Sequence, residues 1–457
     1  MNSSAPPAPV ASSITAVLLQ LSAAPCYADL PEGIATLAKQ CLLDWFGVAT
    51  LGARDGMVDI LIAEARERGA AGNCRVAGRD ETLNPVDAAL ANGTAAHALD
   101  YDDGNPAGGH LSAPVAAAVL TLAQHTGADG RGIISAFIAG YEFAARVGYL
   151  VRPGHYARGF HPTATLGTLG AARGCAALLG LDDLATGNAI GIAATQAAGL
   201  VASFGTMCKP LHVGHAAANG LLAARLAALG YTGNTSVLEH PQGFAAPHSE
   251  NFNAEAATAT PGGGFFLADN TFKFHASCAG THAAIEGLRR LLAEHTVAAG
   301  DVTAMTLAIG PHMDKVCNIQ APETGLQIKF SLRMMGALAL AGWNTADPAI
   351  FSASTAADPA LVVLRDKTRV VLDPTLAGID ARVELQLGDG RRLVATCPAA
   401  TPEKSLGAQG ARLAAKFLPL ATRVAGDTAA QALLARIQNF EQARDLAGLF
   451  ALTAPVS

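Results

Sequence analysis

"GHAAANGLLAARLAALG", from Gly214 to Gly230, spaces its leucines at three and four residues and fills the intervals with alanine and glycine. That period is helical, and the small side chains between the leucines allow neighbouring helices to approach closely. "LSAPVAAAVLTLAQHTG" (Leu111–Gly127) and "LGAARGCAALLGL" (Leu169–Leu181) repeat the pattern, so the chain to about residue 265 is predicted to be mostly helix. From about residue 270 the texture changes. "VTAMTLAIG" (Val302–Gly310) and "TRVVLD" (Thr368–Asp373) run β-branched or alternate, and "RVELQLGDGRRLVATC" reads as a hairpin around Gly388, Asp389 and Gly390. Beyond about residue 404 helical spacing returns. The expected fold class is therefore mainly α, with a smaller α/β unit inserted before a helical C-terminal stretch.

Composition removes several classes of function. The 457 residues exceed one ordinary core, and hydrophobic residues make up 51% of them. No run offers 18 uninterrupted apolar residues; the strongest candidate, "AIGIAATQAAGLVASFG" (Ala189–Gly205), contains Gln196 and reads as a buried helix. Net charge is −6 with no Lys/Arg cluster, which argues against nucleic acid and membrane partners. The N-terminal stretch has no Lys or Arg before Lys39, so it reads as a disordered tip before a first amphipathic helix and not as a signal peptide. Eight cysteines without a C-x-x-C pair fit a reducing cytoplasm. "GTLGAARG" and "GGGFF" lack the spacing of a nucleotide-binding loop.

Against this sparse background, polar chemistry gathers in four places. "ALDYDDGNPAGGH" (Ala98–His110) packs Asp100, Asp102 and Asp103 into four positions, with His110 following. Like charges that close need a cation, a proton-transfer role or solvent. "GHYARGFHPTATLG" (Gly154–Gly167) holds Arg158, His161 and Thr163, the threonines fitting caps of a helix that starts nearby. "FGTMCKPLHVGH" (Phe204–His215) sets Lys209 among apolar neighbours, either facing a buried anion or exposed at a helix start. "KFHASCAGTH" (Lys273–His282) falls at the predicted junction of the two units, where ligand pockets tend to form. Acids, histidines and cations together suit a small polycarboxylate: cations for its carboxylates, and a His or Asp to move a proton beside one of them. No stretch presents three well-spaced metal ligands, so no metal is expected.

Together with "GLQIKFSLRMMGALAL" (Gly325–Leu340), these stretches resemble, in order, the signature stretches of the MmgE/PrpD family, over nearly the whole chain. The resemblance implies a large all-α domain built from both chain ends (1–267 and 404–457) and a smaller α/β lid (268–403). It also implies a homodimer, no cofactor, and chemistry on small di- or tricarboxylates. Carried over by position, it points to Asp100, His110, His161, Lys209 and Cys278 as catalytic, with Tyr101, Asp103, Arg158, Thr163, Lys273 and His282 around the substrate. Gly104, Cys278 and Met334 depart from the family's cis-aconitate decarboxylase branch. The expected activity is a cofactor-free lyase of the 2-methylcitrate dehydratase type, with an iminodisuccinate-type epimerase or a decarboxylase as alternatives. A Mg-dependent helical enzyme reading the acidic run as a diphosphate site, and a binding protein without turnover, are the rivals from other classes.

Overall fold

A computed structural model describes residues 13–398, 402–403 and 405–456. The N-terminal tip expected ahead of the first helix lies outside the described residues, and a short helix begins at Ile14 (Ile14–Leu21). The principal helices of the first part are α1 (Glu32–Gly52), α2 (Pro85–Ala98), α3 (Ser112–Thr126), α4 (Gly130–Val151), α5 (Pro162–Leu178) and α6 (Cys208–Ala228). A small antiparallel pair, Ala71–Arg75 with Thr82–Leu83, interrupts them. The later part contains α7 (Ala279–Glu294) and a four-stranded sheet of β1 (Val302–Ile309), β2 (Thr368–Leu372), β3 (Ala381–Leu387) and β4 (Arg392–Cys397). Its order is β2-β1-β3-β4, with β1 and β2 parallel and the other pairs antiparallel. The predicted β3–β4 hairpin forms, its turn carrying Gly390 at φ 89°. The fold is mainly α with a smaller α/β part.

Two buried clusters organise these elements. The larger draws on residues from Leu18 to Leu267 and again from Leu413 to Phe450. The smaller runs from Cys278 to Cys397. The last long helix, α8 (Leu406–Gln438), brings the C-terminal stretch back to the first cluster by packing on α1, where Phe417 lies beside Gly47.

Glycine sets how closely the helices cross. A Cβ on Gly140 of α4 would stand 2.5 Å from the Gly170 carbonyl oxygen of α5, and one on Gly170 would stand 2.7 Å from that of Gly140. At the α2–α6 crossing, a Cβ on Gly214 would lie 2.4 Å from the Leu90 oxygen and 2.2 Å from Thr94 Oγ1. No side chain fits at such distances, so backbone meets backbone.

Two expectations need correction. Ala189–Gly205 is not one helix: the helix Asp183–Ala194 stops at Ala194. Beyond it Gly199 lies at φ 155° against Ala164, and its carbonyl accepts the His161 main-chain N–H at 3.0 Å, so the segment pairs with the chain before α5. Among the described residues, the helix long and apolar enough to cross a membrane is instead α4. It is a core helix: 89% of its apolar window is buried, and its Glu142 accepts the main-chain N–H groups of Phe266 and Leu267.

The α2–α6 crossing also sets the distance between the C-terminal end of α2 and Lys209 at the start of α6. Gly214→Val is expected to wedge these helices apart, lowering the thermal unfolding midpoint by at least about 4 °C and reducing activity with it. A midpoint equal to that of the parent protein in a calorimetric scan would show that the crossing has slack.

Candidate active site

The site is built on the turn that ends α2. Asp100 has φ 52°, the only positive φ outside glycine among the described residues. Asparagine and aspartate tolerate this region better than other side chains, yet holding one there costs about 1–3 kcal/mol and requires support from the surroundings. Three buried lysines provide it. Lys329 Nζ donates to the Leu99 carbonyl at 2.7 Å, Lys273 Nζ to the Asp100 carbonyl at 2.8 Å, and Lys416 Nζ to the Tyr101 carbonyl at 2.6 Å. The Asp100 carboxylate in turn lies 2.6 Å from Lys209 Nζ and 3.3 Å from Lys273 Nζ. Burial alone would raise its pKa, but these two ammonium groups hold it far below the usual carboxylate range. Burial also draws Lys329 down to about 8.

Two histidines flank the turn. His97 Nδ1 lies 2.9 Å from both Asp102 oxygens, and its Nε2 lies 2.8 Å from Lys209 Nζ. Burial, and then Lys209, bring its pKa down to about 4, so the ring is neutral: Nδ1–H donates to Asp102 and Nε2 accepts from the ammonium. His110 Nδ1 lies 2.5 Å from the Asp103 carbonyl and 3.2 Å from Asp102 Oδ2, while its main-chain N–H donates to Thr163 Oγ1 at 3.0 Å. With Nδ1–H committed to those oxygens, Nε2 is left carrying the lone pair.

The three acids therefore have three separate tasks. Asp100 balances lysines, Asp102 orients histidines, and Asp103 turns away from both. Asp103 Oδ2 accepts from Ser112 Oγ at 2.5 Å and Asn270 Nδ2 at 2.9 Å, and its Oδ1 has no hydrogen-bond partner among the described residues. Burial, followed by the Asp44 and Asp102 charges, pushes its pKa up to about 7. None of the three lines the adjoining cleft, as the Mg-dependent reading of the acidic run requires.

A cleft of about 930 Å³ opens beside this layer. Its inner wall joins Gly104 and His110 of the first stretch to Lys273, Cys278 and His282 of the fourth. Cys278 stands at the N-terminus of α7, and a hydrogen bond with Cys317, aided by Lys273, lowers its thiol pKa against the effect of burial. His282 Nε2 lies 3.3 Å from the Ser277 carbonyl.

The other expected residues stand elsewhere. Asp100, Lys209 and His161 lie behind the cleft wall. Lys209 is buried, against the exposed alternative, and its ammonium sits 5.4 and 5.6 Å from the ring centres of Phe204 and Phe330. His161 precedes α5 with Nδ1 3.1 Å from His212 Nδ1, and burial pushes its pKa well down. Tyr101 does not face the cleft: it packs with Val48 and Leu420 beneath Lys416, because its carbonyl and ring both serve that lysine. Thr163 is no helix cap but the acceptor that holds His110. Arg158 is exposed and makes no ion pair among the described residues, so nothing brings it to the cleft. His97, Lys329 and Lys416 escaped the reading of the sequence. His97 is embedded in alanine-rich α2, Lys416 in the amphipathic α8, and Lys329 within a stretch legible only as a family signature.

His97, Asp102 and His110 place three potential metal-ligand atoms within 4.8 Å of one another. They do not fit a resident ion. Each is already bonded to another at 2.9–3.2 Å, and the Lys209 ammonium occupies the remaining nitrogen of His97.

A histidine with one nitrogen locked and the other free, beside a buried ammonium at the junction of two cores, is the equipment of an enzyme that moves protons next to an anion. The chain belongs to the MmgE/PrpD family: the model of the family's N-terminal domain matches residues 18–257 and that of its C-terminal domain residues 275–442. Among curated relatives it is 33% identical over 234 residues to a cis-aconitate decarboxylase of Mus musculus, covering 50% of this chain and 47% of the relative. It is 31% identical over 278 residues to a cis-aconitate decarboxylase of Aspergillus terreus, covering 58% and 57%. These matches span about half the length of the relatives, and both relatives are named as decarboxylases.

Asp103 carries a pH signature. Its pKa is raised on folding, so between pH 4 and 7 the folded chain holds a proton that the unfolded chain has shed. That contribution to stability is present at low pH and drains away as pH rises through 7. Asp103→Asn, neutral throughout, is expected to gain of order 2 kcal/mol relative to the parent between pH 5 and 7. Parallel stability curves for the two proteins across that range would contradict it.

Proposed function

We propose that the protein is a cofactor-free lyase acting on a small di- or tricarboxylate, with His110 Nε2 removing a proton next to a carboxylate that Lys273 holds. The observation that carries this reading is the pairing, on one cleft wall, of a histidine with its lone pair free and a buried ammonium. Removing a proton beside a carboxylate builds enolate charge on that carboxylate, and a fixed cation stabilises this charge more than it does the ground state. Asp102 keeps His110 in the working tautomer and balances the imidazolium formed. Asp100, held ionised by Lys209 and Lys273, fixes the position of the Lys273 ammonium.

Within this class we favour dehydration of the 2-methylcitrate type over decarboxylation. Gly104 and Cys278, two of the departures from the decarboxylase branch, line the cleft and so bear on the substrate. Met334 bears on packing instead, being fully buried in the smaller core. Epimerisation uses the same proton abstraction and would be recognised by return of the proton to the opposite face without loss of water.

The test is turnover of 2-methylcitrate, citrate, cis-aconitate and iminodisuccinate, with exchange of the carbon-bound proton followed in heavy water. His110→Gln is expected to lower kcat/KM and proton exchange together by at least about a hundredfold while leaving the fold intact. Lys209→Ala, which removes a charge partner of Asp100, is expected to cost at least about a hundredfold as well, with partial rescue by Lys209→Arg. Exchange at the parent rate in His110→Gln would remove the histidine from the reaction. Activity is expected to survive dialysis against EDTA; its loss, restored by a single divalent ion, would overturn the metal-free reading.

A further inference from the structure

Lys273 has little left to offer a ligand. Its ammonium donates to the Asp100 carbonyl at 2.8 Å and stands 3.3 Å from the Asp100 carboxylate, leaving one N–H for a single carboxylate oxygen. A di- or tricarboxylate brings at least two negative charges, and the second needs its own partner. Among the described residues that line the cleft, only one other lysine or arginine is present: Arg412, on α8.

Arg412 is set up for that task. Its guanidinium carbon lies 3.8 Å from the centre of the Phe274 ring, a cation–π contact that holds the planar group against the cleft wall. It makes no ion pair or hydrogen bond among the described residues. Three acids also line the cleft, Glu286, Asp380 and Glu403. Glu286 is engaged with His275 Nε2 at 2.8 Å, and that contact first, with the Arg412 charge adding to it, holds its pKa below the usual carboxylate range. Phe274 directly follows Lys273, and the segment carrying both is tied down at each end. Thr271 exchanges main-chain hydrogen bonds with Gly104, each 2.8 Å, and the Ala276 N–H donates to the Thr345 carbonyl at 2.9 Å. Lys273 and Arg412 therefore line one cleft, whose volume is far larger than a single carboxylate needs.

We propose that Arg412 is a second anion subsite of this cleft, receiving the carboxylate that Lys273 does not hold and so selecting polycarboxylates over monocarboxylates. The inference rests on the carboxylate reading above and adds to it the residue that reads the second charge. A guanidinium suits this role because its planar N–H fork pairs with both oxygens of a carboxylate.

Titration with three unreactive acids separates the possibilities: butyrate with one carboxylate, adipate with two far apart, and tricarballylate with three. In the parent protein adipate, tricarballylate or both should bind more tightly than butyrate. Arg412→Gln should remove that preference, weakening the favoured acid at least tenfold while leaving butyrate and the unfolding midpoint unchanged, and Arg412→Lys should restore part of it. If Arg412→Gln binds all three acids as the parent does, the subsite is disproved and the carboxylate reading stands. If the parent binds neither polycarboxylate more tightly than butyrate, both the subsite and the polycarboxylate reading fail.

Discussion

Three ammonium groups on three successive carbonyls, those of Leu99, Asp100 and Tyr101, form the constraint on which the rest of the structure depends. Each lysine comes from a different part of the chain. Lys416 rises from the C-terminal helix of the larger core, Lys329 comes from the smaller core, and Lys273 from the segment between them. A buried ammonium without oxygen partners is costly, so each lysine fixes the element that carries it to the same turn. The strained Asp100 backbone is what presents these carbonyls outward, and its carboxylate supplies the negative charge that makes the cluster affordable.

That arrangement explains why three aspartates can sit within four positions. In a linear chain they repel; in the fold each faces its own environment of lysines, histidines, or a hydroxyl and an amide. Pushing neighbouring carboxyls to opposite protonation states is a common device of sites that handle protons. Here it leaves His110 as the group of this layer that lines the cleft, while the acids that attract attention in the sequence do not line it.

Sequence comparison and packing divide the chain at different points. The C-terminal family model runs to residue 442 and so includes α8, yet α8 packs its apolar face into the first core. Its polar face carries Lys416 to the turn and Arg412 to the cleft, so one helix of the first core lines the cleft together with α7 and the loop that precedes β3.

The sequence by itself determined the helical majority, the hairpin at Gly390, the small residues at Gly170 and Gly214 that permit close helix approach, and the four stretches where polar chemistry collects. These are local matters of period, turn residue and side-chain size, and a single stretch carries them. Only the tertiary structure decided which polar residues meet. It buried His97 beside Lys209, which lies 112 positions away, turned Tyr101 from the cleft into the core, left Arg158 on the surface, and brought Lys416 across 315 positions to the Tyr101 carbonyl. Burial and pairing are sums over neighbours distant in the chain, so the protonation state and role of each group were unreadable until the two cores had closed around one turn.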